Sequence, residues 1–229
     1  WSKRKLLPKA CSKKHRELWR IKKMKIEIRA FDPKDYQKAI QFAVKGMSFD
    51  RYSNNKTIIN MYAKNFLYFE LSKATQAIAA YVDGEMVGLL LAEIYGEPKL
   101  KQTFGQKAYM KTFNFLRSFS KNKGLDTYEA TNKELLRSYK SEASPEGEIL
   151  YLAADPEKKI KGVGTALINE LTAREAGKEI FLFTDTGCTY QFYEYKGFHM
   201  AGARDIQLDF GQNRIDLTAM LFSKKLAQQ

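Results

Sequence analysis

Short apolar runs with period two alternate along this chain with longer stretches of helical spacing, and the order of the two kinds outlines one domain. The run Met24-Lys25-Ile26-Glu27-Ile28-Arg29 predicts a first strand. Asp32-Pro33 then supplies a cap and a proline at a helix start, so Tyr36 to Met47 reads as an amphipathic helix. Ser53 to Lys73 predicts a second helix, with Ile58, Tyr62, Phe66 and Phe69 near helical spacing and no breaker inside. Gln76 to Val82 and Met86 to Tyr95 are apolar runs joined by Asp83-Gly84-Glu85, the signature of a hairpin. From Gly96 to Gly147 the spacing turns helical again, with helices around Gln106 to Ser120 and Asp126 to Ser141 divided at Asn122 to Gly124.

Alternation returns at Glu148 to Ala154, followed by a helix from Gly162 to about Ala176 that Gly177 ends. Glu179 to Thr184 is an apolar strand and Tyr190 to Lys196 a short helix stopped by Gly197. Two closing strands span about His199 to Phe210 and Arg214 to Leu226. This order implies an α+β fold around a mixed sheet, with a helical insertion between the third and fourth strands.

At 229 residues the chain can bury one sizeable core, so a single domain is expected. No window approaches the roughly 20 apolar residues of a spanning helix, and no apolar leader opens the chain, so no membrane partner and a cytoplasmic location are expected. Cys11 and Cys188 are expected as free thiols, and His15 and His199 lack ligand-spaced partners, so no metal is expected. The net charge of +13 is unevenly spread: residues 1–23 carry ten Lys/Arg against one acid, and residues 97–146 carry ten against six. Residues 1–23 are therefore read as a basic N-terminal extension, and 24–229 as the domain, with 96–147 as its insertion. The extension is a solvated tail, a stretch upstream of the functional start, or an arm for an anionic partner. Concentration of the charge outside the fold argues against nucleic acid as the main partner. Homodimerisation is left open.

The strand at 148–154 runs into Asp155-Pro156-Glu157-Lys158-Lys159-Ile160-Lys161-Gly162-Val163-Gly164-Thr165-Ala166-Leu167. Glycines at 162 and 164 let successive amides point at one anion where a helix begins, and the helix terminus favours negative charge there. Lys159 and Lys161 add cations, and Thr165 a hydroxyl. Leu167 occupies the place where a dinucleotide fingerprint wants a third small residue, and the Lys-Ser/Thr of a Walker loop is absent. A pyrophosphate loop of another kind, or a plain glycine-containing helix start, remains.

Two segments together resemble the GNAT superfamily of acetyl-CoA-dependent N-acetyltransferases. One is Lys159-Ile160-Lys161-Gly162-Val163-Gly164 after Asp155-Pro156; the other is Gln191-Phe192-Tyr193-Glu194-Tyr195-Lys196-Gly197-Phe198, about 30 residues on with a strand between. Lys159 stands where the family usually has Arg or Gln. The resemblance implies a mixed, mainly antiparallel sheet flanked by helices, with acetyl-CoA as co-substrate and an amine as acceptor. Carried over by position, it implies that Leu152, Ala153 and Ala154 meet the pantetheine through main-chain hydrogen bonds. It further implies that Lys159, Ile160, Lys161, Gly162, Val163, Gly164 and Thr165 hold the pyrophosphate. Thr186 stands where many relatives place a cofactor-contacting asparagine.

Acetylating an amine by direct attack on a thioester requires a neutral amine, a stabilised oxyanion and a proton for the thiolate. Tyr193 matches the family's general acid, and a phenol is protonated at neutral pH. Glu148, fourteen residues before Gly162, matches a glutamate that serves as base in some relatives; strand alternation puts 148, 150, 152 and 154 on one face. Glu93 is the second candidate for the base, and a main-chain amide of strand 148–154 the candidate for the oxyanion. Cys188 reads as a packing thiol rather than an acyl carrier, since no histidine or acid stands beside it in sequence. A non-catalytic acyl-CoA-binding module and a nucleic-acid-associated protein acting through its basic arm are the alternatives.

Overall fold

The computed structural model describes residues 25–47, 49, 55–118, 123–158, 160–209 and 214–227. The extension at 1–23 and Lys159 lie outside the described residues. Seven strands form one sheet in the order β1-β2-β3-β4-β5-β7-β6: β1 Glu27–Ala30, β2 Gln76–Val82, β3 Glu85–Ile94, β4 Gly147–Ala154, β5 Glu179–Asp185, β6 His199–Asp209 and β7 Arg214–Lys225. Every neighbouring pair is antiparallel except β4 and β5. The fold is thus α+β with a mainly antiparallel sheet, and the insertion falls between the third and fourth strands as its helical spacing predicts.

Six α-helices flank the sheet among the described residues: α1 Tyr36–Gly46, α2 Lys56–Lys73, α3 Phe104–Ser118, α4 Lys123–Glu142, α5 Val163–Arg174 and α6 Gln191–Tyr195. Asp32 caps a single 3-10 turn at Pro33–Asp35, its carboxylate accepting from the Lys34 amide at 3.0 Å, and α1 follows directly. Asn55 caps α2 by accepting from the Thr57 and Ile58 amides. The β2–β3 hairpin turns on Asp83 and Gly84, both with positive φ, in the two-residue geometry that matches strand twist. Gly124 sits in the first turn of α4 rather than between helices, a position whose amide has no helical partner to lose.

One face of β2–β4 packs on α5 through Ile78, Leu90, Ile149, Val163 and Leu167, and the opposite face packs on α1 and α2 through Ile40, Leu67, Leu91, Tyr151 and Ala153. The second insertion helix, α4, covers β5, β6 and β7: Leu135 and Tyr139 pack on Phe181, Ala219 and Leu221. Two hydroxyls tie α4 down, Tyr128 donating to Asp185 at 3.0 Å and Tyr139 to Glu179 at 2.8 Å. The insertion is therefore part of the core, and Phe113 and Tyr139 are buried in it, while Phe115 stays exposed.

Candidate active site

The site is built on the one parallel pair. β4 and β5 are in register only at Gly147↔Ile180, Glu148↔Phe181 and Ile149↔Leu182, although β4 continues to Ala154 and β5 to Asp185. The separation coincides with a bulge: β3 pairs Leu91 with Tyr151 and Ala92 with Ile149, leaving Leu150 as the extra residue. An extra residue bends its strand and breaks the ladder locally, so β4 swings away from β5 from Leu150 onward. The two strands form a fork whose inner edge on β4 makes no backbone pairing among the described residues.

The bulge also resets which side chains share a face. Strict alternation groups 148 with 150, 152 and 154, but Leu152 packs with Ile149 on the α5 side, while Leu150, Tyr151 and Ala153 face α1 and α2. Glu148 faces the α2 side as well, among the charges of Glu70, Lys73 and Glu93. Main-chain direction follows in the same way. The Asp155 amide donates to the Val87 carbonyl of β3 at 2.8 Å, so alternation turns the polar groups of Ala153 toward β3 and those of Leu152 and Ala154 into the fork. Of the three residues expected to meet pantetheine, Ala153 therefore uses its backbone to hold the sheet together.

At the mouth of the fork stands the glycine loop. Gly162 caps α5 at φ +88°, a left-handed conformation that suits glycine. The first helical bond runs from the Ala166 amide to the Gly162 carbonyl at 2.9 Å, so the amides of Val163, Gly164 and Thr165 point outward with no carbonyl in the helix to meet. Two close approaches fix this terminus. A Cβ on Gly88 of β3 would lie 2.4 Å from Val163 Cγ1, and one on Gly164 would lie 3.0 Å from the Phe192 ring. Gly164 thus serves the contact between α5 and α6, which joins the two motif segments physically. Lys158 pairs with Glu85, and Lys38 lies 3.5 Å from both Glu85 and Asp155, so these cations anchor the loop entry. Lys161 is exposed and makes no ion pair with a described residue.

On the other arm of the fork, Tyr193 on α6 is half-buried between Phe192, Phe198 and Phe222. Burial raises its phenol well above the ordinary value, and the neighbouring Cys188 adds to the effect. The Cys188 thiol reaches the Gly46 carbonyl at 4.0 Å. Thr186, at the end of β5, accepts from the Thr218 amide at 3.0 Å, so its hydroxyl ties β5 to β7. Tyr151 is a residue that sequence reasoning missed: it is 4% exposed, and its hydroxyl has no hydrogen-bond partner among the described residues. Nothing in an alternating strand marks such a group. Gly88 is the other omission, and a lone glycine inside an apolar strand was its signal.

The paired end of the fork carries the carboxylates. Glu148 is pushed up to about 7, first by burial and then by Glu70 and Glu93, against the pull of Lys73 and Lys140. No described group hydrogen-bonds its carboxylate. Glu93 instead pairs with Lys99, and Glu70 lies 2.7 Å from Lys73. Tyr95 beside them is raised to about 12 by burial and by the charges of Glu148 and Glu93. Among the described residues no group of His, Cys, Asp and Glu could hold a metal, and no helix is long and apolar enough to cross a membrane.

No protein-family model matches the sequence, and no curated protein does. Solved structures do match the fold. They include a histone acetyltransferase HPA2 and related acetyltransferase from Corynebacterium glutamicum, with 16% identity, 90% of this chain and 98% of that one covered, and a TM-score of 0.51. A protein from Pyrococcus horikoshii matches with 17% identity over 90% and 99% of the chains and a TM-score of 0.52. An agmatine N-acetyltransferase matches with 11% identity over 88% and 99% and a TM-score of 0.52. With its one parallel strand pair and its helices on both faces of the sheet, the chain has the fold of the GNAT acetyltransferases.

Proposed function

We propose that this protein is an N-acetyltransferase that moves the acetyl group of acetyl-CoA to a primary amine, of a small molecule or a peptide, by direct attack. The observation that carries the reading is the fork: a backbone edge unpaired among the described residues leads from outward-pointing helix amides to a half-buried phenol, and a carboxylate near 7 sits at its closed end.

Fit to the co-substrate rests on three features of the chain. The amides of Val163, Gly164 and Thr165, with Ile160, Lys161 and Gly162 before them, suit a pyrophosphate, since a helix terminus concentrates donors and positive potential. Lys159 belongs to the same proposed loop. The fork-facing main-chain groups of Leu152 and Ala154 suit the amides of a pantetheine arm, as an added strand would be suited. Thr186 is proposed to border the arm by position, since both its amide and its hydroxyl are engaged by the main chain of Thr218. Bound acetyl-CoA supplies an activated thioester carbonyl.

The chain's own residues do the proton work. Glu148 takes a proton from the acceptor ammonium, directly or through water, and its pKa of about 7 matches the working pH as general-base efficiency requires. Glu93 is the weaker candidate because Lys99 already neutralises it. Tyr193 gives its proton to the departing thiolate as the new C–N bond forms and the C–S bond breaks, and regains one from the amine nitrogen or solvent. Its raised pKa keeps it protonated until then. The main-chain amides at the bulge are the proposed oxyanion donors.

Calorimetry with acetyl-CoA, followed by an acceptor panel of polyamines, amino acids, aminoglycosides and peptides with free thiol as readout, tests the reading. Binding followed by acceptor-dependent thiol release is expected. Absence of binding removes the reading, and binding without turnover on any amine leaves a non-catalytic acyl-CoA module in its place.

A further inference from the structure

The Tyr151 hydroxyl is one of five buried side-chain atoms that lack a hydrogen-bond partner among the described residues, the others lying on Asn65, Glu70, Gln76 and Asn132, and it is the one on β4. Its ring packs edge-on against Phe66 at 5.6 Å and is well accommodated as an aromatic, but the hydroxyl has no hydrogen-bond partner among the described residues. A phenylalanine would fill the same shape without burying an unpaired donor. Such a group persists where a water, a ligand or a catalytic task completes it.

The surroundings say which of these it is. Tyr151 is the first residue after the bulge, where β5 has already departed. Two neighbours bring the fork to the hydroxyl: Tyr193 lies within electrostatic reach, and Gly46 at the end of α1, whose carbonyl the Cys188 thiol approaches to 4.0 Å, stands beside it. Gly46 itself lacks a structural reason to be glycine. Its φ is not in the left-handed region, and a Cβ there would meet Ala153 Cβ at 3.6 Å and the Tyr151 oxygen at 4.0 Å, both ordinary contacts. Alanine would favour the helix. What glycine preserves is open space beside the hydroxyl.

We propose that the Tyr151 hydroxyl is a catalytic residue that donates a hydrogen bond to the acetyl carbonyl oxygen of acetyl-CoA, in a niche that Gly46 keeps open. The inference rests on the acetyl-transfer reading above and adds a side-chain donor to it. The phenol stays neutral through the working pH range because burial, and then the nearby Tyr193, raise its pKa, so it is a donor at every pH where Glu148 is a base. It strengthens its bond as negative charge grows on the oxygen, which lowers the barrier more than it tightens binding. Tyr193 then serves the sulfur and Tyr151 the oxygen, two phenols with separate tasks.

The test compares wild type, Tyr151→Phe and Gly46→Ala, each loaded with acetyl-CoA carrying 13C at the thioester carbonyl, by difference infrared spectroscopy, turnover and thermal unfolding. In wild type the carbonyl band should lie below that of free acetyl-CoA. In Tyr151→Phe it should move back up, kcat should fall by roughly 10- to 1,000-fold with little change in acetyl-CoA affinity, and the free protein should unfold at the wild-type temperature or above. Gly46→Ala should move band and kcat in the same direction by less. An unmoved band and unchanged kcat in Tyr151→Phe overturn the proposal while leaving acetyl transfer intact, and so does a free Tyr151→Phe protein that unfolds well below wild type, which would reveal a structural partner. Failure of wild type to bind acetyl-CoA removes both readings.

Discussion

The two ends of β4 are one strand put to opposite uses. From Gly147 to Ile149 it is paired on both sides, and Glu148 there is shielded enough to be raised to about 7. From Tyr151 to Ala154 it is paired on β3 alone, and its free edge faces a fork bounded by Tyr193 and the start of α5. The closed end tunes a charge, which needs dry and rigid surroundings. The open end offers main-chain donors and acceptors, which need an unpaired edge. A single inserted residue at Leu150 separates the two environments.

The sharpest way to break this division is at the open end. Replacing Tyr193 with Phe removes the proposed proton donor without emptying its aromatic site, and should lower kcat by about 10²- to 10⁴-fold, the usual range for a general acid. Acetyl-CoA affinity, measured by calorimetry, should stay close to wild type, because the phenol acts after binding. A loss confined to affinity would move Tyr193 from chemistry to cofactor seating.

At the closed end, Glu148→Gln should lower kcat by about 100-fold and remove the limb of the pH–rate profile centred near pH 7, on which wild-type activity rises as the carboxylate ionises. Stability moves the opposite way. A carboxyl raised from 4.5 to about 7 in the fold binds more protons folded than unfolded across that interval, so wild-type stability declines as pH rises through it. The glutamine variant lacks the decline: it should match wild type below pH 4.5 and exceed it by about 1–3 kcal/mol at pH 8. Urea unfolding at the two pH values reads both. Parallel curves would mean that Glu148 is solvated and its tuning absent.

How much of this was legible beforehand depends on the kind of physics involved. Helical spacing and alternation located every strand and helix in order, because burial of one face imposes its period on the sequence; the hairpin at Asp83-Gly84 announced itself through turn chemistry. Gly162 was readable because a left-handed cap favours glycine. The bulge was not readable, since Ile149-Leu150-Tyr151-Leu152 is apolar throughout and either face can accept such side chains. Missing the bulge misassigned Leu152 to the face of Glu148 and hid the orphan hydroxyl of Tyr151; the contact expected of Ala153 came from the resemblance, which does not express that its backbone pairs with β3. Gly164, expected as a phosphate contact, also turned out to be required by Phe192, a distant packing demand that spacing alone does not express.

A structural test of the open end lies at Gly88. A Cβ there meets Val163 at 2.4 Å and Leu167 at 3.1 Å, so Gly88→Ala should push the start of α5 off the sheet and destabilise the protein by about 1–3 kcal/mol through overpacking. Because the outward amides begin at Val163, acetyl-CoA affinity should fall with it while the pH dependence set by Glu148 stays put. If the two ends are coupled rather than separate, the limb near pH 7 shifts as well.

The smallest effect separates two carboxylates that sequence could not rank. Glu93 and Glu148 are direct cross-strand partners on β3 and β4, yet Glu93 pairs with Lys99 and Glu148 has no such cation of its own. A partly exposed ion pair is worth at most about 1 kcal/mol, so Glu93→Gln should change stability by no more than that. It should also remove one of the charges that raise Glu148, drawing the limb of the pH–rate profile slightly below 7. A small acid shift with kcat nearly intact places the base at Glu148 and gives Glu93 the role of tuning it. A collapse of kcat reverses the assignment and moves the working carboxylate across the ladder to β3.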